Sequence, residues 1–142
     1  MSSTTFLHIL ASIVYLALYA MLFYFAFRYL LTGRYMPAYA ASAGHDWAAL
    51  DSKTQSIFSA MARVVGAGML TTSVTGALLS LGAALTGLAW LKYLAPVPAV
   101  VFCAPTLHAS YLLRRATKAA TPLGPSLAAL VLAVVGFALS WM

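Results

Sequence analysis

The sequence predicts an all-α membrane protein, a bundle of four transmembrane helices with both termini periplasmic. Three observations lead there. Of 142 residues, 63% are hydrophobic and only 7% are charged, whereas a soluble domain carries roughly 25% charged residues. A water-soluble fold this apolar would have nothing to cover its surface with. Two runs, residues 6–27 and 64–85, contain no charged residue, and each is about 33 Å long as a helix, enough to cross bilayer hydrocarbon. Basic residues collect beside the ends of the apolar runs, at the level of the lipid headgroups.

The first span runs from Phe6 to about Leu31, and Arg28 marks the start of the headgroups. The second begins at Ser52-Lys53-Thr54-Gln55, which fits a capping box with Ser52 as N-cap and Gln55 reaching back. Ile57, Phe58 and Met61 give its first turns an apolar face, and Arg63 interrupts them. Residues 52–62 therefore read as an amphipathic cytoplasmic entry to the second helix, whose span covers about 56–85. Thr86-Gly87 reads as a tight connection. The third span covers about 88–113. Proline removes a backbone hydrogen bond, so Pro96 and Pro98 mark an unwound entry turn and Pro105 bends the helix near His108. Arg114, Arg115 and Lys118 end this span, and Pro122, Gly124 and Pro125 form a breaker. The last span, 126–142, is short at about 25 Å. The whole chain forms one domain. Between the first two spans lies the one long connection, 32–51, in which a short helix capped by Asp46 is an option.

Orientation follows from the basic residues near the span ends. Arg28, Arg34, Lys53, Arg63, Arg114, Arg115 and Lys118 share one side, and Lys92 stands alone on the other. Seven against one places the seven in the cytoplasm and both termini outside, in a multi-pass protein of a bacterial inner membrane. The net charge of +6 thus belongs to the membrane surface and implies no nucleic-acid partner. The single cysteine, Cys103, excludes an intrachain disulfide and a cysteine metal cluster. The first apolar run lacks a basic start and is too long for a secretory signal core, so it is expected to be retained.

Lipid gives helices no hydrophobic drive to associate, so small residues mark their contacts. Gly68, Thr72, Thr75 and Gly76 offer such a face on the second span, and Ala129, Ala133 and Gly136 on the fourth.

Two polar stripes interrupt the apolar helices. His8, Ser12, Tyr15 and Tyr19 fall within about 60° of one another on the first span. Polar groups in lipid must face protein, water or a partner, so this stripe is expected to point into the bundle or into a cavity opening outward. His108, Tyr111 and Arg115 share a face of the third span. An intramembrane histidine can ligate haem or shuttle protons, or donate to a carbonyl freed by Pro105. The candidate ligand-binding residues are therefore His8, Tyr15, Tyr19, His108 and Tyr111. One haem shared by both histidines is not expected, because their vertical offset is about 24 Å and two axial ligands stand only about 4 Å apart. A single-histidine site or two separate sites stay open. Arg28 and Arg63 read as snorkelling residues at the interface. His45, Asp46 and Asp51 read as a solvated loop. No acidic residue falls within a span, which argues against a pump built on a membrane carboxylate. No phosphate loop, cysteine pair or catalytic triad spacing is present.

Two resemblances add expectations. Arg34-Tyr35-Met36-Pro37-Ala38-Tyr39, then Trp47, Leu50, Gln55 and Arg63-Val64-Val65-Gly66 resemble a group of uncharacterised small bacterial four-helix membrane proteins, which suggests no activity. Leu7-His8-Ile9-Leu10-Ala11 with Tyr15-Leu16, then Arg63, Gly68-Met69-Leu70, Thr72, Gly76, Trp90-Leu91 and His108, are similar to the copper-resistance-type superfamily. That superfamily includes a bacterial four-helix protoporphyrinogen oxidase. The resemblance implies haem contact at His8 and His108. The chain departs from it at Tyr15, where tryptophan is usual, and lacks a histidine–lysine pair after Trp90-Leu91.

Three functions fit these residues. The first is a non-enzymatic accessory or binding subunit of a larger membrane complex or homo-oligomer. The second is a haem- or quinone-linked redox protein using His8 or His108. The third is an oligomeric transporter or channel lined by Ser12, Tyr15, Thr72 and Thr75.

Overall fold

A computed structural model describes residues 3–32, 44, 46–118 and 123–142. The described residues are helical with no strand: α1 (Ser3–Thr32), a 3-10 turn (Trp47–Ala49), α2 (Ser52–Thr86), α3 (Ala89–Leu94), α4 (Val97–Thr117) and α5 (Gly124–Trp141). Four units are long and apolar enough to cross a membrane: α1, α2, α3 with α4, and α5. Residues 34–39, which carry part of the first resemblance, lie outside the described residues, as do His45 and Pro122.

The N-cap of α2 is Asp51, one residue before the Ser52 expected. Its carboxylate accepts the amides of Lys53 and Thr54 at 3.0 Å each and the Thr54 hydroxyl at 2.6 Å. An ionised carboxylate satisfies several of the orphan amides at a helix start. Gln55 consequently does not reach back as a capping box requires. Its amide instead donates to the carbonyls of Trp47 (3.0 Å) and Leu50 (2.9 Å), tying the 3-10 turn to α2. Asp46 stands at the start of that turn, but its side chain makes no capping bond.

α2 ends at Gly87, whose φ of 68° lies in the left-handed region that suits glycine at a helix stop. The Gly87 amide donates to the Ala83 carbonyl at 3.1 Å. The third span is broken into α3 and α4 at Ala95 and Pro96. Pro96 and Pro98 lack the N–H groups that the carbonyls of Lys92 and Leu94 would otherwise receive. The buried Tyr19 hydroxyl donates to the Ala95 carbonyl at this break. Pro105 lies inside α4.

The surface is unlike that of a soluble protein. Exposed positions include Ile13, Phe23, Val64, Leu78, Val101 and Val134, whereas Ser73, Ser80 and Ser110 are buried. Large apolar side chains on the outside, and small or hydroxylated ones among those inside, suit a hydrocarbon solvent. The core is a ridge along α1, formed by Ala11, Tyr15, Leu18, Tyr19, Leu22 and Ala26, with Ala95, Ala99, Cys103, Ala129 and Ala133 from its neighbours. α1 packs mainly against α2 and α5.

Small residues set the distances between helices. Ala129, Ala133 and Gly136 are all buried on α5, as their pattern predicts. On α2 the buried face is Gly66, Ser73, Gly76 and Ser80, while Thr75 is exposed. The expected face is thus turned about a quarter-circle, because residues eight apart in a helix differ by about 80°. Gly76 faces Tyr19 on α1, and Gly68 faces Phe102 on α4.

A methyl group at Gly76 would stand 2.0 Å from Tyr19 Cζ, whereas one at Gly124 would meet nothing within 4 Å. Gly76→Ala is therefore expected to destabilise by about 1–3 kcal/mol, the usual cost of overpacking. Gly124→Ala should leave the melting temperature in detergent unchanged. Equal melting temperatures for the two variants would contradict this packing. At the α2 cap, the Thr54 hydroxyl, followed by the backbone amides, holds the Asp51 carboxyl below its ordinary value of 3.8. A depressed folded value means that the cap stabilises fully above the ordinary value and is lost as pH falls through the lower one. The Lys53 and Thr54 amide resonances should titrate with a midpoint below 3.8 and stay fixed in Asp51→Asn.

Candidate functional site

The start of α1, the end of α2, α3 and the end of α5 surround a cavity of about 380 Å³. Its wall combines His8, Ser12 and Tyr15 from α1, Ser80 and Ala83 from α2, Lys92 from α3 and Ser140 from α5. The exposed side chains Ile9, Ile13 and Leu16 border it on α1. Cavities of this size accept small molecules.

Most of the polar wall is committed to its own helices. Ser12 donates to the His8 carbonyl at 2.9 Å. Ser80 donates to the Gly76 carbonyl and Ser140 to the Gly136 carbonyl, each at 2.8 Å. These are the backward bonds that hydroxyls make in helices. Lys92 Nζ stands 3.3 Å from His8 Nε2. A charged lysine is donor-only, so the bond assigns Nε2 as acceptor and the His8 proton to Nδ1.

Tyr15 differs from these groups. Its side chain is 3% exposed, its ring packs against Gly136, and its hydroxyl has no hydrogen-bond partner among the described residues. Ser140 approaches that hydroxyl but falls outside hydrogen-bonding geometry. Helical side chains tilt toward the N-terminus of their helix, so the phenol leans toward the His8 end. A buried polar group without a partner costs about 1–3 kcal/mol and calls for an explanation.

The candidate residues divide into three groups. His8 and Tyr15 line the cavity. Tyr19 lies about one turn deeper, 1% exposed, with its hydroxyl engaged by Ala95, and it serves packing. His108 and Tyr111 are exposed on α4, and neither lines the cavity. His108 makes no bond to a carbonyl near Pro105. The Phe102 carbonyl there accepts the Thr106 hydroxyl at 2.7 Å. Among the described residues, no three histidine, cysteine or acidic side chains gather as metal ligands.

Lys92 is the wall residue that the candidate set omits. Its signal in the sequence is isolation, since it is the one basic residue on its side of the membrane pattern. Beyond it, Tyr93 and Trp141 meet edge to face with centroids 4.8 Å apart, and Phe137 joins them. Amphipathic aromatics beside a lysine are typical of a membrane–water boundary.

Fold and site together define a small multi-pass helical bundle with a cavity at one end. No protein-family model matches the chain, and comparison with curated proteins and with solved structures finds no match.

The two buried tyrosines should respond oppositely to loss of the hydroxyl. Tyr15→Phe removes an unpartnered polar group and is expected to raise the melting temperature of the ligand-free protein. Tyr19→Phe strands the Ala95 carbonyl and should destabilise by about 0.5–1.5 kcal/mol. Thermal unfolding in neutral detergent measures both, and a shift of the same sign in the two variants would contradict their assigned roles.

Proposed function

We propose that this chain is a binding subunit of a bacterial inner membrane, with both termini periplasmic, that holds a membrane-derived molecule in its end cavity. The observation that carries the reading is the Tyr15 hydroxyl, buried and unpartnered beside a 380 Å³ cavity. The seven-to-one distribution of basic residues supports the orientation. In this reading the cavity lies at the periplasmic headgroup level, a position that suits Lys92 and the aromatic cluster beside it.

The rival readings draw less from the same geometry. Below Tyr15 the interior is filled by Leu18, Tyr19 and Leu22, each no more than 2% exposed, so the cavity has a floor. Thr72 and Thr75, which the channel reading groups with Ser12 and Tyr15, do not border this cavity. A haem on His8 would need the ring nitrogen that Lys92 engages. On α4, the exposed His108 lies outside this cavity. A quinone carbonyl would find donors in Lys92 and Tyr15, which is again a binding role.

Native mass spectrometry of the protein released from its membranes tests the proposal. Wild type is expected to carry an adduct in the mass range of single lipids. Ala83→Trp, placed in the cavity wall, should lose most of it while keeping its melting temperature. Bare wild-type protein, even after equilibration with a total lipid extract, would overturn the reading.

A further inference from the structure

We propose that the cavity selects an amphiphile with an anionic head, received by Lys92 and the Tyr15 hydroxyl, with its acyl chain leaving past Ile9 and Ile13. This rests on the binding role proposed above and adds the chemistry of the ligand. The argument begins with charge. The chain has two acidic side chains, Asp46 and Asp51. Both lie at or before the start of α2, whereas the cavity is lined by its last turns. The 35 residues of α2 separate the two ends by about 52 Å, far beyond a Debye length of about 10 Å. Neither carboxylate can neutralise Lys92, whose described partner is the His8 ring. A half-buried lysine in a partly apolar wall is stabilised by an opposite charge brought beside it.

Donor accounting points the same way. The wall hydroxyls of Ser12, Ser80 and Ser140 direct their protons to carbonyls of their own helices. The Tyr15 O–H and two of the three Lys92 N–H donors stay uncommitted. An occupant that offers acceptors and negative charge satisfies both. By accepting from Nζ, His8 orients Lys92 toward the cavity and acts as a positioning residue. The mouth has the opposite character. Ile9 and Ile13 are about half exposed, and Ala83 and Ala84 form a low wall beside them. A polar recess with an apolar, lipid-facing exit fits a head group and the first part of its chain.

Binding in uncharged maltoside micelles tests the assignment, with oleate, methyl oleate, 1-oleoyl lysophosphatidate and inorganic phosphate as probes. Oleate and lysophosphatidate are expected to bind at least about tenfold more tightly than methyl oleate, the scale of one charge-assisted contact. Lys92→Met should abolish that preference, and Lys92→Arg should restore most of it. Tyr15→Phe should weaken oleate binding about tenfold while raising the melting temperature of the ligand-free protein, a combination that lost packing would not produce. Methyl oleate binding as tightly as oleate, or a preference that survives Lys92→Met, would overturn the anionic head and leave the binding role intact. Failure of all three amphiphiles would remove the binding role itself. Inorganic phosphate binding as tightly as lysophosphatidate would overturn the lipid-borne part, making the ligand a free anion. Preference for one head over the other identifies carboxylate or phosphate as the source and supports the proposal.

Discussion

Two tyrosine rings on α1 require places where no neighbouring side chain stands, and the bundle is arranged around that requirement. Tyr19 lies over Gly76 of α2, and Tyr15 lies over Gly136 of α5. Each ring occupies the volume that a β-carbon on the facing helix would fill. Near the other end of the contact, Gly66 meets Tyr29 Cβ and the Ala26 carbonyl, so the backbones of α1 and α2 approach closely there. Dispersion rather than water exclusion holds helices together in lipid, and it acts only at contact. Ring-on-glycine seats supply such contact over large flat surfaces. They also fix rotation about the helix axes, because a ring cannot slide past the next residue without striking a β-carbon.

The cavity begins where this packing ends. Tyr19 is fully packed and hydrogen-bonded, and Tyr15, one turn toward the end of the bundle, is packed on its ring but unsatisfied at its hydroxyl. The core thus changes from structural to available within about 6 Å along one helix. Above that level the inward residues become small or hydroxylated, and the space they leave is bordered by Lys92 and His8. The few polar groups of the membrane interior are accordingly not distributed evenly. Ser12, Ser80 and Ser140 close bonds to carbonyls of their own helices, whereas His8, Tyr15 and Lys92 do not and stand together at one end.

The apolar runs, the prolines and the glycine stop were readable from the sequence because each acts locally. Runs without charge mark the spans, Pro96 marks the break, and Gly87 takes the left-handed turn it is placed for. The polar stripe of α1 was also readable, since helical periodicity alone puts His8, Ser12 and Tyr15 on one face. Other features depend on which helix faces which. Asp51 and Ser52 are both good caps, and the Thr54 hydroxyl together with the pull of Trp47 on Gln55 decides between them. The α2 face expected from Gly68, Thr72, Thr75 and Gly76 keeps Gly76, where the ring of Tyr19 sits, and otherwise turns to Gly66, Ser73 and Ser80. Lys92 belongs to the site only because the break before α4 brings α3 beside the start of α1, a distance of 84 positions along the chain. No local pattern carries that pairing.

The hydrogen bond from Tyr19 to Ala95 has a further effect. Ala95 follows directly on the six-residue α3, which carries Lys92. Tyr19, packed one turn beneath the chamber, is therefore also the tether of the segment that supplies its rim. Chamber depth and the height of the cation are mechanically linked, and neither can be adjusted alone. A descendant of this chain that deepened the chamber by shrinking residue 19 would at the same time release its charged rim. A change in chamber size is thus easier to accommodate sideways, at Ala83 and Ala84, than downward.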